Sequence, residues 1–190
     1  MSTKPAPGFD RGSTPALSFL FAGFGGQGIL FAGKIVAYAG LLEDRELSWL
    51  PSYGPEMRGG TASCSVTLAD TPIGSPLVTE PDSLIAMNRP SLEKFEATVK
   101  PGGRLFYDSS LIDIAPTRTD IATYAVPATG LATEQDLKGL ANVIMLGKLW
   151  HETRFCAADT LDAALEKAIP PRKAQLLEPN KRALALGKGL

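Results

Sequence analysis

The chain has 190 residues, of which 44% are hydrophobic and 21% charged, and this balance predicts a folded domain with its own core. Its 19 basic and 20 acidic residues leave a net charge of -1. The basic residues are scattered, which argues against a nucleic-acid partner. The 2 cysteines, Cys64 and Cys156, stand far apart, so this chain alone cannot build an iron–sulfur cluster or a structural zinc site.

Residues 1–16 are rich in proline and glycine, and we interpret them as a flexible leader before a single domain at residues 17–190. No run approaches the roughly 20 apolar residues that a membrane-spanning helix requires. Free cysteines suit a reducing compartment. We therefore expect a cytoplasmic protein without a membrane partner.

The first predicted elements are a strand at residues 17–22, a glycine-rich turn and a helix that ends near residue 40. The turn runs from Gly23 to Gly28 and reads GFGGQG. The first N–H groups of a helix have no partner within it and attract anions, and glycine permits both left-handed dihedrals and a close ligand. The order of strand, glycine turn and helix therefore predicts a phosphate-binding site.

The turn also matches the G-x-G-x-x-G pattern of dinucleotide-binding Rossmann domains. Those domains place an acidic residue roughly 20 residues later, where it binds the ribose. Here the next apolar segment ends at Pro51, and Glu43, Asp44 and Glu46 come before that segment. The mismatch argues against NAD, although a stand-alone NAD-binding protein and a purely structural turn remain alternatives.

The rest of the chain continues to alternate strands with helices. We predict strands at residues 46–50, 61–68, 83–87, 104–107 and 121–126, a crossover helix at 91–99 capped by Ser91, and later helices at 133–138, 141–151, 160–168 and 180–186. This order predicts an α/β fold: a Rossmann-like, mostly parallel sheet with helices on both faces and a C-terminal helical extension. Ligands of such sheets collect beyond the C-terminal ends of the strands.

A second glycine-rich segment, residues 52–60, joins two predicted strands and reads SYGPEMRGG. The guanidinium of Arg58 can bind a phosphate or a carboxylate, and Gly59 and Gly60 would let the main chain approach a ligand or another chain. The alternative is a surface loop in which Arg58 pairs with Glu56.

Two other polar groups are interpreted structurally. His151, the only histidine, ends an apolar helix, where a cap is favoured over a catalyst. Asp108, Ser109 and Ser110 follow a strand at the ligand-binding edge of the sheet, and we expect the serines to cap the next segment.

Several of these segments, in one order, resemble the gamma subunit of the 2-oxoacid:ferredoxin oxidoreductases, from about residue 18 to residue 186. They are the glycine turn, YGPEMRGG at 53–60, AMN at 86–88, KPGG at 100–103 and VPAT at 126–129. The resemblance implies a Rossmann-like subunit of a hetero-oligomer that is inactive alone.

The same resemblance implies which cofactors and partners surround the chain. Alpha and beta subunits would hold thiamine diphosphate and its magnesium, and a ferredoxin-like delta subunit or domain would hold 4Fe-4S clusters. Such a complex decarboxylates a 2-oxoacid, passes electrons to ferredoxin and delivers an acyl group to coenzyme A. The gamma subunit would help to close the active site around coenzyme A at the subunit interface.

Combined with the glycine turn, this implies a site for the phosphates of coenzyme A, with no catalytic or metal-binding residue in this chain. The family's fused single-chain members carry a lysine at the position that matches Lys34. A purely structural adaptor subunit is the alternative. We expect N–H donors from Gly25, Gly26, Gln27 and Gly28. We expect positive charge from Lys34 and Arg58.

Overall fold

The computed structural model describes residues 16–52 and 61–190, and within them the chain forms one sheet of six strands. The strands are β1 (Leu17–Phe24), β2 (Glu46–Ser52), β3 (Thr61–Ala69), β4 (Ser83–Ala86), β5 (Arg104–Asp108) and β6 (Ala122–Val126). The helices are α1 (Ile29–Leu42), α2 (Arg89–Phe95), α3 (Ala128–Glu134), α4 (Ala141–Thr153), α5 (Ala158–Ala168) and α6 (Leu177–Lys188). None of the helices described is long and apolar enough to cross a membrane.

The sheet has the strand order β2-β3-β1-β4-β5-β6 and is mixed. The pairs β1–β4, β4–β5 and β5–β6 are parallel, whereas β3 runs antiparallel to both β1 and β2. Residues 53–60 are too few for the crossover of about a dozen residues that parallel neighbours require, so β2 and β3 pair antiparallel. The predicted α/β fold with a mostly parallel sheet is confirmed.

Strand β1 lies in the middle of the sheet and is buried on both faces. Phe19 and Phe21 belong to a large apolar cluster with α1, α3, α4, α5 and α6. Leu20 and Ala22 belong to a smaller cluster that α2 covers. Helices therefore lie on both faces, and the thicker layer covers the face that carries α1.

Helix α1 packs tightly on β3 through two of its glycines. A Cβ atom on Gly33 would collide with the sulfur of Cys64, and a Cβ atom on Gly40 would collide with the side chain of Leu68. The helix therefore lies closer to the strand than any larger residue would allow. This contact fixes the position of the helix start, where the glycine turn lies.

Four predicted helices begin at different residues in the structure, and the helix predicted at 160–168 begins at Ala158. The crossover helix starts at Arg89, and its cap is Asn88, whose side chain accepts a hydrogen bond from the Ser91 N–H at 2.8 Å. Ser91 as the cap was wrong because Asn88 precedes it by one helical turn. The helix predicted at 133–138 is α3, which starts directly after Pro127, and the last helix begins at Leu177.

Candidate anion-binding site at the glycine turn

Two glycines with left-handed dihedrals shape the turn between β1 and α1. Gly26 has φ of 93°, and Gly28, which precedes the first helical residue, has φ of 74°. Residues with side chains rarely adopt such values. The main chain closes tightly here, since the Gln27 N–H donates to the Phe24 carbonyl at 3.2 Å.

The glycine N–H groups of the turn remain available to a ligand. Gly25 and Gly26 are exposed, and Gly28 is half-buried. Among the described residues, no acceptor contacts the N–H of Gly25, Gly26 or Gly28. These donors lie at the positive end of the α1 dipole, which is an arrangement that can stabilise an anion.

Gln27 holds the turn in place from the inside. Its Oε1 accepts a hydrogen bond from the Phe24 N–H at 2.6 Å, and its Nε2 donates to the Met87 carbonyl at 2.9 Å. A Cβ atom on Gly23 would lie 2.7 Å from the same Oε1, so only glycine leaves room for this bridge. The structure therefore gives the Gln27 amide a supporting contact between the turn and the residue that follows β4.

Asn142, at the start of α4, is a second support that the sequence did not reveal. Its Nδ2 donates to the Gly28 carbonyl at 3.0 Å, and a Cβ atom on Gly28 would collide with that nitrogen. The two residues are 114 positions apart, and nothing in the local pattern of α4 marks Asn142 as polar support for a distant turn.

Three clefts surround the turn, and the predicted site residues that the structure describes are distributed among them. One of about 270 Å³, which we call the turn cleft, is lined by Gly26, Gln27, Met87, Thr129 and Lys138 among others. A second, of about 320 Å³, is lined by residues 24–26 and 28–31 and by Ala62. A third, of about 390 Å³, is lined by Gly28 and Lys34 and lies between α1 and α6.

The two predicted cations have different outcomes. Lys34 is half-buried, with its Nζ 5.2 Å from the centre of the Tyr38 ring, and it lines the third cleft rather than the turn cleft. Arg58 falls outside the described residues. Sequence reasoning missed Lys138, which is exposed and lines the turn cleft beside Gly26.

Asp108 organises the wall of the turn cleft opposite the glycine turn. It is fully buried at the end of β5 and accepts hydrogen bonds from the hydroxyl and N–H of Thr129 and from the N–H of Ser110. The Ser110 hydroxyl accepts a hydrogen bond from the Gly130 N–H at 2.9 Å. Ser110 therefore binds the first turn of α3 rather than capping the segment that directly follows it.

The remaining reactive side chains are used structurally. His151 places its Nδ1 2.8 Å from the Lys188 carbonyl oxygen, which joins α4 to α6. Burial raises the pKa of Cys64 to about 12 and also raises that of Cys156 above its ordinary value. In the described part of the chain, no group of three or more histidine, cysteine or carboxylate side chains is placed to hold a metal.

Glu43, one of the acidic residues before β2, is also accounted for within the fold. It is 7% exposed at the far end of α1, and its Oε1 accepts a hydrogen bond from the Ala157 N–H at 2.8 Å. A carboxylate in this position cannot reach a ribose bound at the glycine turn.

Residues 18–190 match the protein family described as "Pyruvate ferredoxin/flavodoxin oxidoreductase". Ketoisovalerate oxidoreductase subunit VorA of Methanothermobacter marburgensis is 44% identical over 66% of this chain and 26% of that protein. The chain thus spans about a quarter of the length of that relative. The 2-oxoglutarate synthase subunit KorC of Methanocaldococcus jannaschii is 35% identical over 88% of this chain and 89% of its own length.

Solved structures share the fold. A keto/oxoacid ferredoxin oxidoreductase gamma subunit from Geobacter sulfurreducens PCA is 28% identical with a TM-score of 0.79, covering 92% of this chain and 95% of that one. The 2-oxoglutarate:ferredoxin oxidoreductase from Magnetococcus marinus, with 2-oxoglutarate, coenzyme A and succinyl-CoA bound, has a TM-score of 0.82 over 93% of this chain and 31% of that one. At 24% identity, the second likeness shows the fold alone.

Proposed function

Because the chain belongs to the pyruvate ferredoxin/flavodoxin oxidoreductase family and is similar over nearly its whole length to a solved gamma subunit, we propose that it is the non-autonomous gamma subunit of a 2-oxoacid:ferredoxin oxidoreductase complex. The complex would depend on thiamine diphosphate and decarboxylate a 2-oxoacid oxidatively, with coenzyme A as the acyl acceptor. This chain would bind the phosphates of coenzyme A and help to close the active site.

Partner subunits would supply the redox chemistry. Alpha and beta subunits would hold thiamine diphosphate and magnesium, and a ferredoxin-like delta subunit or domain would hold the 4Fe-4S clusters that reduce ferredoxin. The donor set of this chain supports that division of labour, because its two thiols are buried in the core beneath α1 and α5. A reducing, cytoplasmic setting goes with such free thiols.

The residues at the glycine turn fit the phosphates of coenzyme A. A phosphate needs several N–H donors and positive charge, and it gains most where the donors are already fixed. Gly25 and Gly26 are exposed and their N–H groups have no acceptor among the described residues, Gln27 and Asn142 fix the turn, and Lys138 lines the turn cleft together with Gly26. Coenzyme A is bound in the solved Magnetococcus marinus protein, which shares the fold.

One observation carries the proposal: Gly26, which is exposed and whose N–H has no acceptor among the described residues, lines one cleft with Lys138 beyond the C-terminal ends of parallel strands. That edge is where ligands of α/β sheets bind. Coenzyme A would contribute its thiol as acyl acceptor, while this chain would bind and orient its phosphate groups.

The test uses the complete complex and steady-state kinetics. Lys138→Ala should raise the apparent KM for coenzyme A about tenfold, the effect of losing one charge-assisted contact, and leave the KM for the 2-oxoacid unchanged. Arg58→Ala should act in the same direction. Lys94→Ala is the matched control, since Lys94 is an exposed lysine on α2, which packs on the opposite face of the sheet from α1.

Equal increases in both KM values would instead indicate a defect in assembly or packing. That outcome would favour the structural adaptor, for which the exposed Trp49 and Leu50 of edge strand β2 are the supporting observation. In an adaptor, substitution of these two residues would lower the yield of complex while every KM stays at the wild-type value.

A further inference from the structure

Two walls of the turn cleft come from distant parts of the chain. One is the glycine turn, with Gly26 and Gln27, and the other is the connection between α3 and α4, with Lys138 and Gly139. An anion gains from the glycine N–H and from the lysine at once only if both reach it. Binding at this cleft therefore depends on the separation between the two walls.

The connection between α3 and α4, residues 135–140, is a tight loop that we call the α3–α4 loop. Asp136 has φ of 54° and Gly139 has φ of 83°, so left-handed residues stand before and after Lys138. Leu137 is 3% exposed, and its N–H donates to the Ala132 carbonyl at 2.7 Å. A residue other than glycine keeps a positive φ only where its surroundings hold it. Lys138 therefore extends from a fixed main chain.

Asn142 joins the α3–α4 loop to the glycine turn. It lies in the first turn of α4, and its Nδ2 donates to the Gly28 carbonyl at 3.0 Å. The loop continues into this helix, because the Leu140 carbonyl accepts the Ile144 N–H at 3.1 Å. Among the hydrogen bonds between described residues, the one from Asn142 is the only one that joins residues 23–28 to residues 129–142.

Stability does not account for an asparagine at this position. Asn142 is 4% exposed, and its Oδ1 has no hydrogen-bond donor among the described residues. A buried acceptor without a donor costs free energy, which offsets the gain from the one hydrogen bond of Nδ2. The Gly28 carbonyl does not depend on Asn142 either, because it also accepts the Ala32 N–H at 3.0 Å. The amide therefore contributes the placement of the turn rather than net stability.

We infer that Asn142 is a positioning residue of the anion-binding site. Its hydrogen bond to the Gly28 carbonyl holds the turn at the distance from the α3–α4 loop at which the Gly26 N–H and Lys138 contact one anion. Asn142 does not line the turn cleft, so it acts on the anion only through these two walls. The inference deepens the proposed function and rests on it, since it takes this cleft as the phosphate site.

The experiment is a titration of the full chain with inorganic pyrophosphate, followed by the main-chain amide NMR signals of Gly26 and Gly139, one from each wall. In the wild type, both signals should shift with the same Kd, because one anion contacts both walls. In Asn142→Ala, the Kd reported by Gly26 should rise about tenfold, and Gly139 should no longer follow it. An unchanged titration of Asn142→Ala, or wild-type signals that do not shift together, would overturn the inference.

Asn180→Ala is the matched control. Asn180 is 2% exposed, its Nδ2 donates to the Leu176 carbonyl at 2.7 Å, and its Oδ1 also lacks a donor among the described residues, but it lies on α6 outside the lining of the turn cleft. Asn180→Ala should titrate like the wild type, and both variants should melt within about 3 °C of it. If both variants lost affinity equally, the loss would be a general loosening and the inference would fail. Should Asn142→Ala not fold, Asn142→Leu fills the volume of the amide without a donor and carries the same expectation.

Kinetics of the complete complex separate this inference from the proposed function. Asn142→Ala should raise the KM for coenzyme A about tenfold while kcat and the KM for the 2-oxoacid stay unchanged, and its combination with Lys138→Ala should raise that KM no further. A combined increase of about a hundredfold would show that the two residues act independently, against the inference. If pyrophosphate titrates as expected but no KM moves, Asn142 positions an anion site that does not serve coenzyme A. If Lys138→Ala raises the KM for coenzyme A and Asn142→Ala does not, the proposed function stands and the inference falls.

Discussion

At the scale of single residues, the two left-handed glycines of the turn differ in what surrounds them. A Cβ atom on Gly26 would meet nothing within 4 Å, whereas a Cβ atom on Gly28 would collide with the amide of Asn142. At Gly26, therefore, only the left-handed backbone conformation requires glycine. At Gly28, both the left-handed backbone conformation and the closeness of α4 require glycine. The Gly28 carbonyl also joins the turn to α4 by accepting the hydrogen bond from Asn142.

Gly28→Ala should therefore lower the free energy of unfolding by about 2–4 kcal/mol, because left-handed strain is added to the loss of the Asn142 contact. Gly26→Ala is the control and should cost about 1–2 kcal/mol from strain alone. Urea denaturation of both variants measures the difference. Equal losses would mean that Asn142 moves aside freely and does not hold the turn.

The sequence predicted the anion site only as far as local signals reach. GFGGQG after an apolar strand is a local pattern, and it correctly indicated a turn that leads into a helix. The contacts of Gln27 with Met87 and of Gly28 with Asn142 depend on how distant elements fold together. For the same reason the sequence suggested Lys34 as a cation of the site and did not suggest Lys138. The direction of a side chain does not follow from the residues next to it in the sequence.

At the scale of secondary-structure elements, α4 and α6 meet backbone to backbone. A Cβ atom on Gly147 would collide with the Leu184 carbonyl, and a Cβ atom on Gly187 would collide with the Ile144 carbonyl. Carbonyl groups cannot rotate away as a flexible side chain can. The C-terminal helix therefore packs on α4 at a distance that only this pair of glycines permits.

Gly187→Ala should destabilise the protein by about 1–3 kcal/mol, the usual cost of forcing an extra carbon into a close-packed contact. Gly189→Ala is the matched control in the same segment, since its Cβ atom would lie 3.6 Å from the nearest atom, an ordinary contact. Thermal unfolding followed by circular dichroism gives both values. A Gly187→Ala protein as stable as the control would show that α6 shifts without cost.

The elements themselves were largely predictable, and their boundaries less so. Short apolar runs, several of them bounded by proline or glycine, identified most strands, and alternation of small and apolar residues identified β3, because a strand with one buried face carries that pattern. Asn88 as the cap of α2 was missed because Ser91 offers the same chemistry three residues later. The strand order, with β3 antiparallel beside β1, follows from how the chain pairs across distance rather than from any local signal.

At the scale of the whole molecule, Asp82 links the start of β1 to the segment that leads into β5. Its carboxylate accepts hydrogen bonds from the Ser18 N–H and hydroxyl, both at 2.7 Å, and from Lys100 Nζ at 2.8 Å. Burial alone would raise the pKa of Asp82, but the hydrogen bonds from Lys100 and Ser18 outweigh it and lower the pKa below its ordinary value.

A carboxylate with a lowered pKa stabilises the fold above the pKa of about 3.9 of the unfolded chain, and this contribution is lost as the pH falls through the folded pKa. Asp82→Asn should therefore reduce the free energy of unfolding by about 1–2 kcal/mol at pH 7 and by progressively less below about pH 4. Denaturation measured across this pH range tests both parts.

Asp113→Asn is the control for general charge effects, since Asp113 is 81% exposed and its ion pair with Arg89, at 3.5 Å, lies at the surface. It should change stability by less than about 0.5 kcal/mol at any pH. If the free energy of unfolding of Asp82→Asn stayed below that of the wild type by the same amount down to acidic pH, the charge of the carboxylate would contribute nothing to stability.

The glycine seam between α1 and β3 has a consequence for motion. With Gly33 against Cys64 and Gly40 against Leu68, the helix can neither slide nor roll without driving main chain into side chains. The donors at its start are consequently pre-organised, and an incoming anion has little ordering of the polypeptide to offset. The glycine turn, the start of α1 and strand β3 therefore behave as one rigid unit.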